Sequence, residues 1–324
     1  MKKNTNYLYI FILFLVLISV AFAKLPQLMP ISNAANSSGY SVTDSTGHTL
    51  HFDRKPERIL SLSLSTDEIL LDMVEDSRIV GLSQWSDVPA IANNYAKARN
   101  VKYKLRSSNI EQIVALKPDL VVVTSFFSEE LLDFMRGLGL KVYVYPTLTT
   151  IADIKNSIHE LGKAVGEPGR AKSIISGMDK KLDFVAARLQ SIPAQDKGKT
   201  VIHMEGDLAY YSPDISFNDI CRYAGAQNVN QKLSSQQVRF LSKEEILSLN
   251  PDVFIVTDWD FDGHNNPQKM IDVIKSDPSY STLDAVKHNR IYAIKGRHLL
   301  TTSHYIVNGV DDLAKAIYPQ AFAQ

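Results

Sequence analysis

Aromatic, arginine and histidine side chains recur where this sequence passes from an apolar run into a polar segment. Aromatic rings offer contact area and stacking to a large planar or caged ligand, and arginine offers forked, charged donors to an oxygen-rich one. The candidates for ligand contact are Ser65, Trp85, Tyr103, Arg106, Phe126, Tyr210, Arg239, Trp259, His298 and His304. The two tryptophans are favoured, because each follows an apolar run and stands close to an aspartate.

Sequence motifs of catalysis and of nucleotide binding are missing. No G-x-S-x-G elbow, H-E-x-x-H helix, G-x-G-x-x-G turn or G-x-x-x-x-G-K-[ST] loop occurs. The segment 137–142 has only two of the three glycines and enters a predicted strand instead of a helix. A secreted α/β enzyme is an alternative, because Asp, Glu and His are abundant enough to form a site from distant positions. We predict a binding protein, not an enzyme.

The composition excludes several other classes of protein. The 324 residues include 35 basic and 35 acidic side chains, 45% hydrophobic residues and one cysteine. The balanced charge argues against a nucleic-acid binder, and the apolar fraction excludes a disordered chain. One cysteine excludes an intrachain disulfide framework and a Cys-rich metal site. The length predicts roughly two domains.

The N-terminal segment has the features of a secretory signal peptide. Lys2 and Lys3 precede an apolar run that ends in Ala21-Phe22-Ala23. We predict a cleaved signal peptide over residues 1–23, with cleavage after Ala34 as an alternative, and a flexible leader over residues 24–39. An uncleaved anchor is the competing interpretation, since the run approaches the roughly 20 residues of a membrane span. No cysteine near either site could carry a lipid, which favours a soluble periplasmic protein.

Short β-branched runs alternate with helical patterns after residue 40. The predicted strands cover residues 58–63, 78–82, 120–124, 141–145, 200–204, 253–257 and 290–294. Such runs between helices are typical of parallel sheets covered on both faces. The predicted fold class is α/β, with two lobes of mostly parallel sheets flanked by helices. Ligands bind beyond the carboxyl ends of parallel strands, so the candidate residues are expected around a cleft between the lobes.

A segment of the sequence occurs twice. Residues 111–124 read EQIVALKPDLVVVT, and residues 244–257 read EEILSLNPDVFIVT, 133 positions later (244 − 111). Each copy is predicted to be a short helix, ended before proline, and then a buried strand. The shared register predicts an N-terminal lobe over residues 40–167 and a related C-terminal lobe over residues 194–324.

A long amphipathic helix is predicted over residues 168–193, between the lobes. Pro168 suits its first turn and Pro193 ends it. Apolar residues follow helical spacing at Ala171, Ile174, Ile175, Met178, Leu182, Val185, Leu189 and Ile192. One helix flexes less than paired loops, so we expect little hinge closure. Gly177 is interpreted as a point of close packing, and a helix within one domain is the alternative.

Two glutamates stand at matching positions in the repeat. Asn109 with Gln112 and Ser242 with Glu245 have the spacing of a helix N-cap and its partner. Glu111 and Glu244, at the second helical position, are left without a capping role. One interpretation is a favourable interaction with the helix dipole, and the other is docking onto basic residues of a partner.

Several segments together carry a family resemblance: VTDSTGHTLHF, ERILSLSLSTDEILLDM, SSNIEQIVALKPDLV, FLSKEEILSLNPDV and DPSYSTLDAVKHNRIYAI. Over about residues 40–320 the chain resembles the periplasmic substrate-binding protein of an ABC importer. The resemblance is to the type with a rigid helical backbone that binds cobalamin, ferric siderophores or haem. It implies a ligand between the lobes and a permease dimer, with its ATPase subunits, that meets Glu111 and Glu244. We expect a monomer without a nucleic-acid partner.

The resemblance leaves the ligand open. We expect a cobalt- or iron-containing chelate, cobalamin or a siderophore, and no cofactor of the protein's own. Arg106 lies near the arginine of siderophore-binding members, and Tyr103 near the ligating tyrosine of haem-binding members. A bare metal ion is disfavoured, because such relatives use His and carboxylates from both lobes. His48, His51 and His159 of the first lobe lie off the predicted ligand loops. A tethered sensor is the alternative if residues 1–23 stay uncleaved.

Overall fold

The computed structural model describes residues 39–106, 109–205, 208–212, 215–233, 237–258 and 266–323, although not the side chains of Glu205, Leu208 and Tyr210. We call residues 39–167 the N-terminal half and residues 190–323 the C-terminal half. The predicted signal peptide, the predicted leader up to residue 38 and Trp259 lie outside the described residues.

The N-terminal half contains a five-stranded parallel sheet. An antiparallel hairpin precedes the sheet and consists of β1 (Tyr40–Thr43) and β2 (Thr49–Phe52). The sheet order is β5-β4-β3-β6-β7. Its strands are β3 (Ile59–Ser61), β4 (Ile79–Ser83), β5 (Lys104–Leu105), β6 (Leu120–Thr124) and β7 (Val142–Tyr145). The helices are α1 (Leu64–Met73), α2 (Tyr95–Ala98), α3 (Ile110–Ala115), α4 (Glu129–Gly137) and α5 (Ile151–Ala164), with a 3-10 turn at Asp76–Arg78.

The C-terminal half contains a six-stranded sheet in which one strand is reversed. Its strands are β8 (Lys199–Glu205), β9 (Leu208–Tyr211), β10 (Ala226–Asn228), β11 (Arg239–Leu241), β12 (Val253–Thr257) and β13 (Ile291–Ile294). The order is β11-β9-β8-β12-β13, with β10 also beside β8. Among these described strands, β9 runs antiparallel to its two neighbours, β8 and β11, and the other pairings are parallel. With β10 set aside, the order of the strands repeats that of the N-terminal sheet, although β9 is reversed.

Helices cover both sheets. After α6 (Pro168–Leu189), which connects the halves, come α7 (Ser216–Tyr223), α8 (Lys243–Leu249), α9 (Pro267–Ser276), α10 (Asp284–Lys287), α11 (Gly296–Leu299), α12 (Ile306–Ile317) and α13 (Pro319–Phe322). Single 3-10 turns lie at Ala194–Asp196, Val229–Lys232 and Pro278–Tyr280. The predicted α/β class with mostly parallel sheets is confirmed, and β6 and β12 have the predicted bounds. The hairpin, β5, β9, β10 and β11 were not predicted.

Alternation along the strands divides the core into three clusters. Val121 and Val123 of β6 point into a cluster of the N-terminal half alone, and Phe254 and Val256 of β12 into one of the C-terminal half alone. Val122 of β6 and Ile255 of β12, which lie between these residues, point into a third cluster that both halves and α6 share. Since successive strand residues face opposite sides, each sheet therefore has a private face and a shared face. A shared core resists large movement of one half against the other.

Helix α6 connects the two halves along this shared core. It starts at the predicted Pro168, contains 22 residues and buries Ala171, Met178, Leu182, Val185 and Leu189. It packs against α1 and α5 of the N-terminal half and against α7, α12 and α13 of the C-terminal half. Lys155 pairs with Asp179, and Lys181 lies 3.9 Å from Asp311. The helix thus contacts both halves, as a connecting helix requires.

The close approach at α6 is made by a different glycine from the one predicted. A Cβ atom on Gly177 would have no neighbour within 4 Å, so its interpretation as a point of close packing is wrong. On α5, a Cβ atom on Gly162 would lie 2.4 Å from the Cβ of Ala171. The absence of a side chain at Gly162 is therefore what allows α5 to approach α6.

The repeated sequence segment has the same local geometry in both halves. Both helices lead to a left-handed residue before the Pro-Asp pair, Lys117 with φ 48° and Asn250 with φ 39°. The Asp119 carboxylate accepts two backbone N–H groups just before β3. The Asp252 carboxylate accepts the N–H and hydroxyl of Thr200 in β8 at 2.8 and 2.9 Å. Each aspartate thus fixes the start of the neighbouring strand, while the lobe boundaries stay a prediction.

Candidate functional site

The candidate residues of the N-terminal half lie around the carboxyl ends of its parallel strands. Ser65 lies in α1 just after β3, Trp85 follows β4, Tyr103 and Arg106 flank β5, and Phe126 follows β6. Trp85 is 38% exposed, Tyr103 44% and Phe126 81%. Large apolar side chains left exposed at one edge of a sheet are typical of a binding surface.

The C-terminal half offers fewer described candidates. Arg239 and Phe240 lie on β11, the edge strand, and Phe240 is 53% exposed. Tyr210 lies on β9 and pairs with Phe240. Trp259 lies outside the described residues, and so does the side chain of Tyr210. Phe240 is not among the residues predicted from the sequence, and its exposure adds it to the site.

The two arginines occupy equivalent positions in the repeat but have different partners. Arg239 forms a bidentate ion pair with Glu245, with Nη1–Oε2 and Nη2–Oε1 distances of 2.8 and 2.6 Å. This pairing, together with the Ser242 N–H, lowers the pKa of Glu245 to about 2. Arg106 instead donates from Nε to Oε1 of Gln84 at 2.8 Å. The two guanidinium groups therefore differ in how much charge they can offer a ligand.

The predicted helix caps in front of the two glutamates are confirmed. The Asn109 side chain accepts the N–H of Gln112 at 3.2 Å. Ser242 accepts the N–H of Glu245 at 3.2 Å, and Glu245 accepts that of Ser242 at 2.9 Å, which completes a capping box. Glu111 and Glu244 are the second residues of α3 and α8 and are exposed. Neither forms a hydrogen bond or ion pair with any described residue.

Three further candidates are engaged in contacts within the protein. Nδ1 of His298 lies 2.6 Å from the Asp312 carboxylate, and Nε2 of His304 lies 3.1 Å from the Asp72 carboxylate. The Ser65 hydroxyl is hydrogen-bonded to that of Thr302 at 2.8 Å. Ser65 and His304 thus connect the two halves. A ligand role for Ser65, His298 and His304 stays a prediction.

These contacts belong to a polar joint between the halves. One face of α1 presents Ser65, Glu68 and Asp72 at helical spacing. Their partners in the C-terminal half lie in residues 301–305. Asp72 accepts hydrogen bonds from the Tyr305 hydroxyl at 2.6 Å and from Lys97 at 2.8 Å. Burial alone would raise the pKa of Asp72, but hydrogen bonds, above all from His304, Lys97 and Tyr305, lower it. We call this contact the interhalf joint.

Glu68 is the buried centre of the interhalf joint. Its Oε1 accepts the backbone and side-chain N–H groups of Asn93 at 2.7 and 2.9 Å. Its Oε2 accepts the hydroxyls of Thr301 at 2.9 Å and Ser303 at 2.5 Å. Burial raises the pKa of Glu68, while these four donors oppose the shift. Sequence reasoning missed Glu68. The signal was present as three acidic residues, at 67, 68 and 72, inside a buried apolar helix.

Asp67, beside Glu68, predicts a pH dependence of stability. Its fully buried carboxylate accepts the hydroxyl and N–H of Ser83 at 2.5 and 3.1 Å, and burial raises its pKa to about 7. An unfolded aspartate has a pKa of about 4, so folding favours the protonated form. This group's contribution therefore lowers the free energy of unfolding as pH rises from about 4 to 7, by up to about 4 kcal/mol.

The variant Asp67→Asn, which keeps an acceptor for Ser83, is expected to lack this part of the pH dependence. Urea unfolding at intervals between pH 4 and pH 8 would measure the difference between variant and wild type. The exposed Asp183 gives the control Asp183→Asn, which should follow the wild type. Identical pH profiles for Asp67→Asn and the wild type would contradict the assignment.

Two further structural features bear on the kind of site. Throughout the part of the chain that the structure describes, no helix combines the length and the apolar character needed to cross a membrane. Over the same residues, His, Cys, Asp and Glu form no cluster of three or more suited to hold a metal ion. The described candidates include exposed aromatic side chains and arginines near strands of both sheets.

Comparisons with known proteins identify the family of the chain. A family model described as periplasmic binding protein matches residues 59–298. The chain is 23% identical over 291 residues to the uncharacterised ABC transporter substrate-binding lipoprotein YvrC of Bacillus subtilis, covering 88% of this chain and 87% of the relative. It is 22% identical to a cobalamin-binding protein of Halobacterium salinarum, covering 89% of this chain and 77% of the relative. It is also 22% identical to the iron(3+)-hydroxamate-binding protein YxeB of B. subtilis, covering 90% of this chain and 89% of the relative.

The fold is also found in a solved structure. A possible iron-binding, periplasmic solute-binding protein from Staphylococcus epidermidis superimposes with a TM-score of 0.68 at 23% identity, covering 82% of this chain and all of that one. The family model covers most of the chain, and the full-length relatives are transport proteins. The chain therefore belongs to the periplasmic binding protein family and is a substrate-binding transport protein, not an enzyme.

Proposed function

We propose that this chain captures a metal chelate, either cobalamin or a ferric siderophore, outside the cytoplasm and delivers it to the permease of an ABC importer. The observation that carries the proposal is the exposure of Trp85, Tyr103 and Phe126 next to strands of the N-terminal half and of Phe240 on β11 of the C-terminal half. Exposed aromatic surface is unfavourable in water by about 25 cal/mol per Å² of apolar area. A bulky ligand that covers these rings gains that free energy.

The ligand chemistry is supported from two directions. Relatives that match at similar identity carry the names of a cobalamin-binding and of an iron(3+)-hydroxamate-binding protein. Arg106 stands three residues after Tyr103 and Arg239 directly before Phe240 in the sequence, and guanidinium groups suit an oxygen-rich chelate. Haem is the second candidate, because Tyr103 is exposed and a tyrosinate can ligate haem iron.

Delivery would use both halves at once. Glu111 and Glu244 would meet basic residues of the permease, one glutamate from each half. Since the shared core and α6 oppose hinge motion, free and liganded forms would differ modestly. Separation of the halves would then require work, supplied by ATP hydrolysis on the importer.

Tryptophan fluorescence tests the proposal. Titration with cyanocobalamin, haemin and several ferric siderophores should give saturable quenching by at least one of them. The sequence has two tryptophans, so Trp259→Phe isolates the signal of Trp85 and should keep the quenching. Trp85→Phe should lose most of it, and Trp85→Ala should weaken binding about tenfold or more, as expected for a buried aromatic contact.

The outcomes of this titration are distinct. Saturation without chemical change of the ligand supports the binding function. The absence of saturable quenching by every chelate, in the wild type and in both Trp→Phe variants, would overturn the proposal.

A further inference from the structure

The different partners of Arg106 and Arg239 trace to one substitution between the two copies of the repeat. The 133-residue offset that relates Arg106 to Arg239 also relates Gln112 to Glu245. In each half this residue is the third of its helix, six positions after the arginine. Glu245 carries a charge that can pair with its arginine, and Gln112 does not. The sequence therefore makes one guanidinium ion-paired and leaves the other without a carboxylate.

Glu245 holds Arg239 firmly because it also belongs to the helix cap. Its Oε2 accepts both Arg239 Nη1, at 2.8 Å, and the Ser242 N–H, at 2.9 Å. The guanidinium of Arg239 also lies over the Tyr211 ring, 5.6 Å from its centroid. An anionic ligand that drew Arg239 away would have to break a bidentate pair, and bidentate pairs are among the strongest charge-assisted hydrogen bonds.

Arg106, in contrast, has no carboxylate partner among the described residues. Its Nη atoms have no hydrogen-bond partner among the described residues, since its single bond runs from Nε to the neutral Gln84. Lys102 and Lys104 precede it, and the carboxylate of Asp87 lies 3.9 Å from Lys104. The segment from Lys102 to Arg106, which includes Tyr103, therefore carries three cationic side chains, and Asp87 partly offsets the charge of one of them.

We propose that Gln112 and Glu245 are specificity-determining residues. Glu245 neutralises the charge that Arg239 could offer a ligand, whereas Gln112 leaves the charge of Arg106 available. The site therefore selects a chelate whose anionic group faces the N-terminal half alone. The inference rests on the proposed function and names its ligand class more closely. A chelate with anionic groups on both sides would meet a neutral ion pair on the C-terminal half and bind less well.

Exchange of the two residues tests this selection. Gln112→Glu gives the N-terminal half the partner that Glu245 provides in the other half, and Glu245→Gln frees Arg239. Each variant uses the residue that the chain already has at the equivalent position, and Gln and Glu both serve at the third position of a capping box. The probes are a neutral ferric trihydroxamate, a multiply anionic ferric tricatecholate and cyanocobalamin, with dissociation constants measured calorimetrically at low and moderate salt.

The ratio of the affinities for the anionic and the neutral probe is the decisive readout, since a merely structural defect would weaken both alike. Glu245→Gln is expected to shift this ratio about tenfold towards the anionic probe, and Gln112→Glu about tenfold away from it. Added salt should reduce both shifts. Circular dichroism and thermal unfolding confirm that each variant is folded.

Two results would overturn the inference, and they differ. If the wild type binds a chelate but the ratio is the same in all variants, the specificity role is wrong and the proposed function stands. If the wild type binds none of the probes, the proposed function fails and the inference falls with it.

Discussion

Transport should be abolished, with ligand binding intact, when Glu111 and Glu244 are both replaced by lysine. Both side chains are exposed, one in each half, and neither has a partner among the described residues. Their replacement therefore breaks no hydrogen bond or ion pair with the described residues, and the lost helix-dipole interaction costs only about 0.3–1 kcal/mol each. Like charges placed against basic residues of a permease would repel. Uptake by the reconstituted importer and the dissociation constant of the free protein are the two measurements.

A matched control is available in the same chain. Glu130 is exposed and is the second residue of α4, as Glu111 is of α3. Asp183 is exposed on α6. The double variant Glu130→Lys/Asp183→Lys changes the net charge by the same amount and should transport normally. The docking role is refuted if Glu111→Lys/Glu244→Lys transports normally, or if it loses ligand binding.

Glu68→Ala is expected to lower the free energy of unfolding by about 3–5 kcal/mol, the range found when one partner of a buried charged network is removed. The alanine would leave four donors, from Asn93, Thr301 and Ser303, without their acceptor in a buried place. Unpaired buried donors each cost about 1–3 kcal/mol. Chemical denaturation at neutral pH measures the change.

Glu68→Gln separates the loss of the acceptor from the loss of volume. It keeps Oε1 for Asn93 and has nearly the shape of the glutamate, so its cost should be less than half that of the alanine. Asp183→Ala, at an exposed position of α6, should change stability by less than about 0.5 kcal/mol. If Glu68→Ala were as stable as Asp183→Ala, the interhalf joint would not contribute to the fold.

Much of the fold follows from the sequence because long β-branched runs and an internal repeat carry strong signals. LVVVT at 120–124 and VFIVT at 253–257 are short and rich in β-branched residues, which favours a buried strand, and the structure has strands with those bounds. β5 has two residues and β10 three, too few to show a period. β9 is reversed by tertiary pairing with β8 and β11, which periodicity does not encode.

The site was less predictable because its residues serve more than one role. Trp85 and Phe126 followed from their places after predicted strands, and Tyr103 from the family resemblance; the exposure of all three agrees with a binding surface. Ser65 and His304 carry the same residue types as ligand contacts, yet they join α1 to residues 302–305 from more than 230 positions away in sequence. No local pattern relates residues so distant. Glu245 was predicted as the partner of a helix cap. Its ion pair with Arg239 depends on the path of the chain between the two residues, which the sequence did not show.

The stoichiometry of chelate binding tests the central claim most directly. Native mass spectrometry of the purified chain, mixed with cyanocobalamin, haemin and ferric siderophores in competition, separates each complex by mass. We predict one dominant complex with a single intact cobalt or iron chelate per chain, weakened by Trp85→Ala. A spectrum with no chelate complex, or with a chemically altered ligand released, would contradict the account.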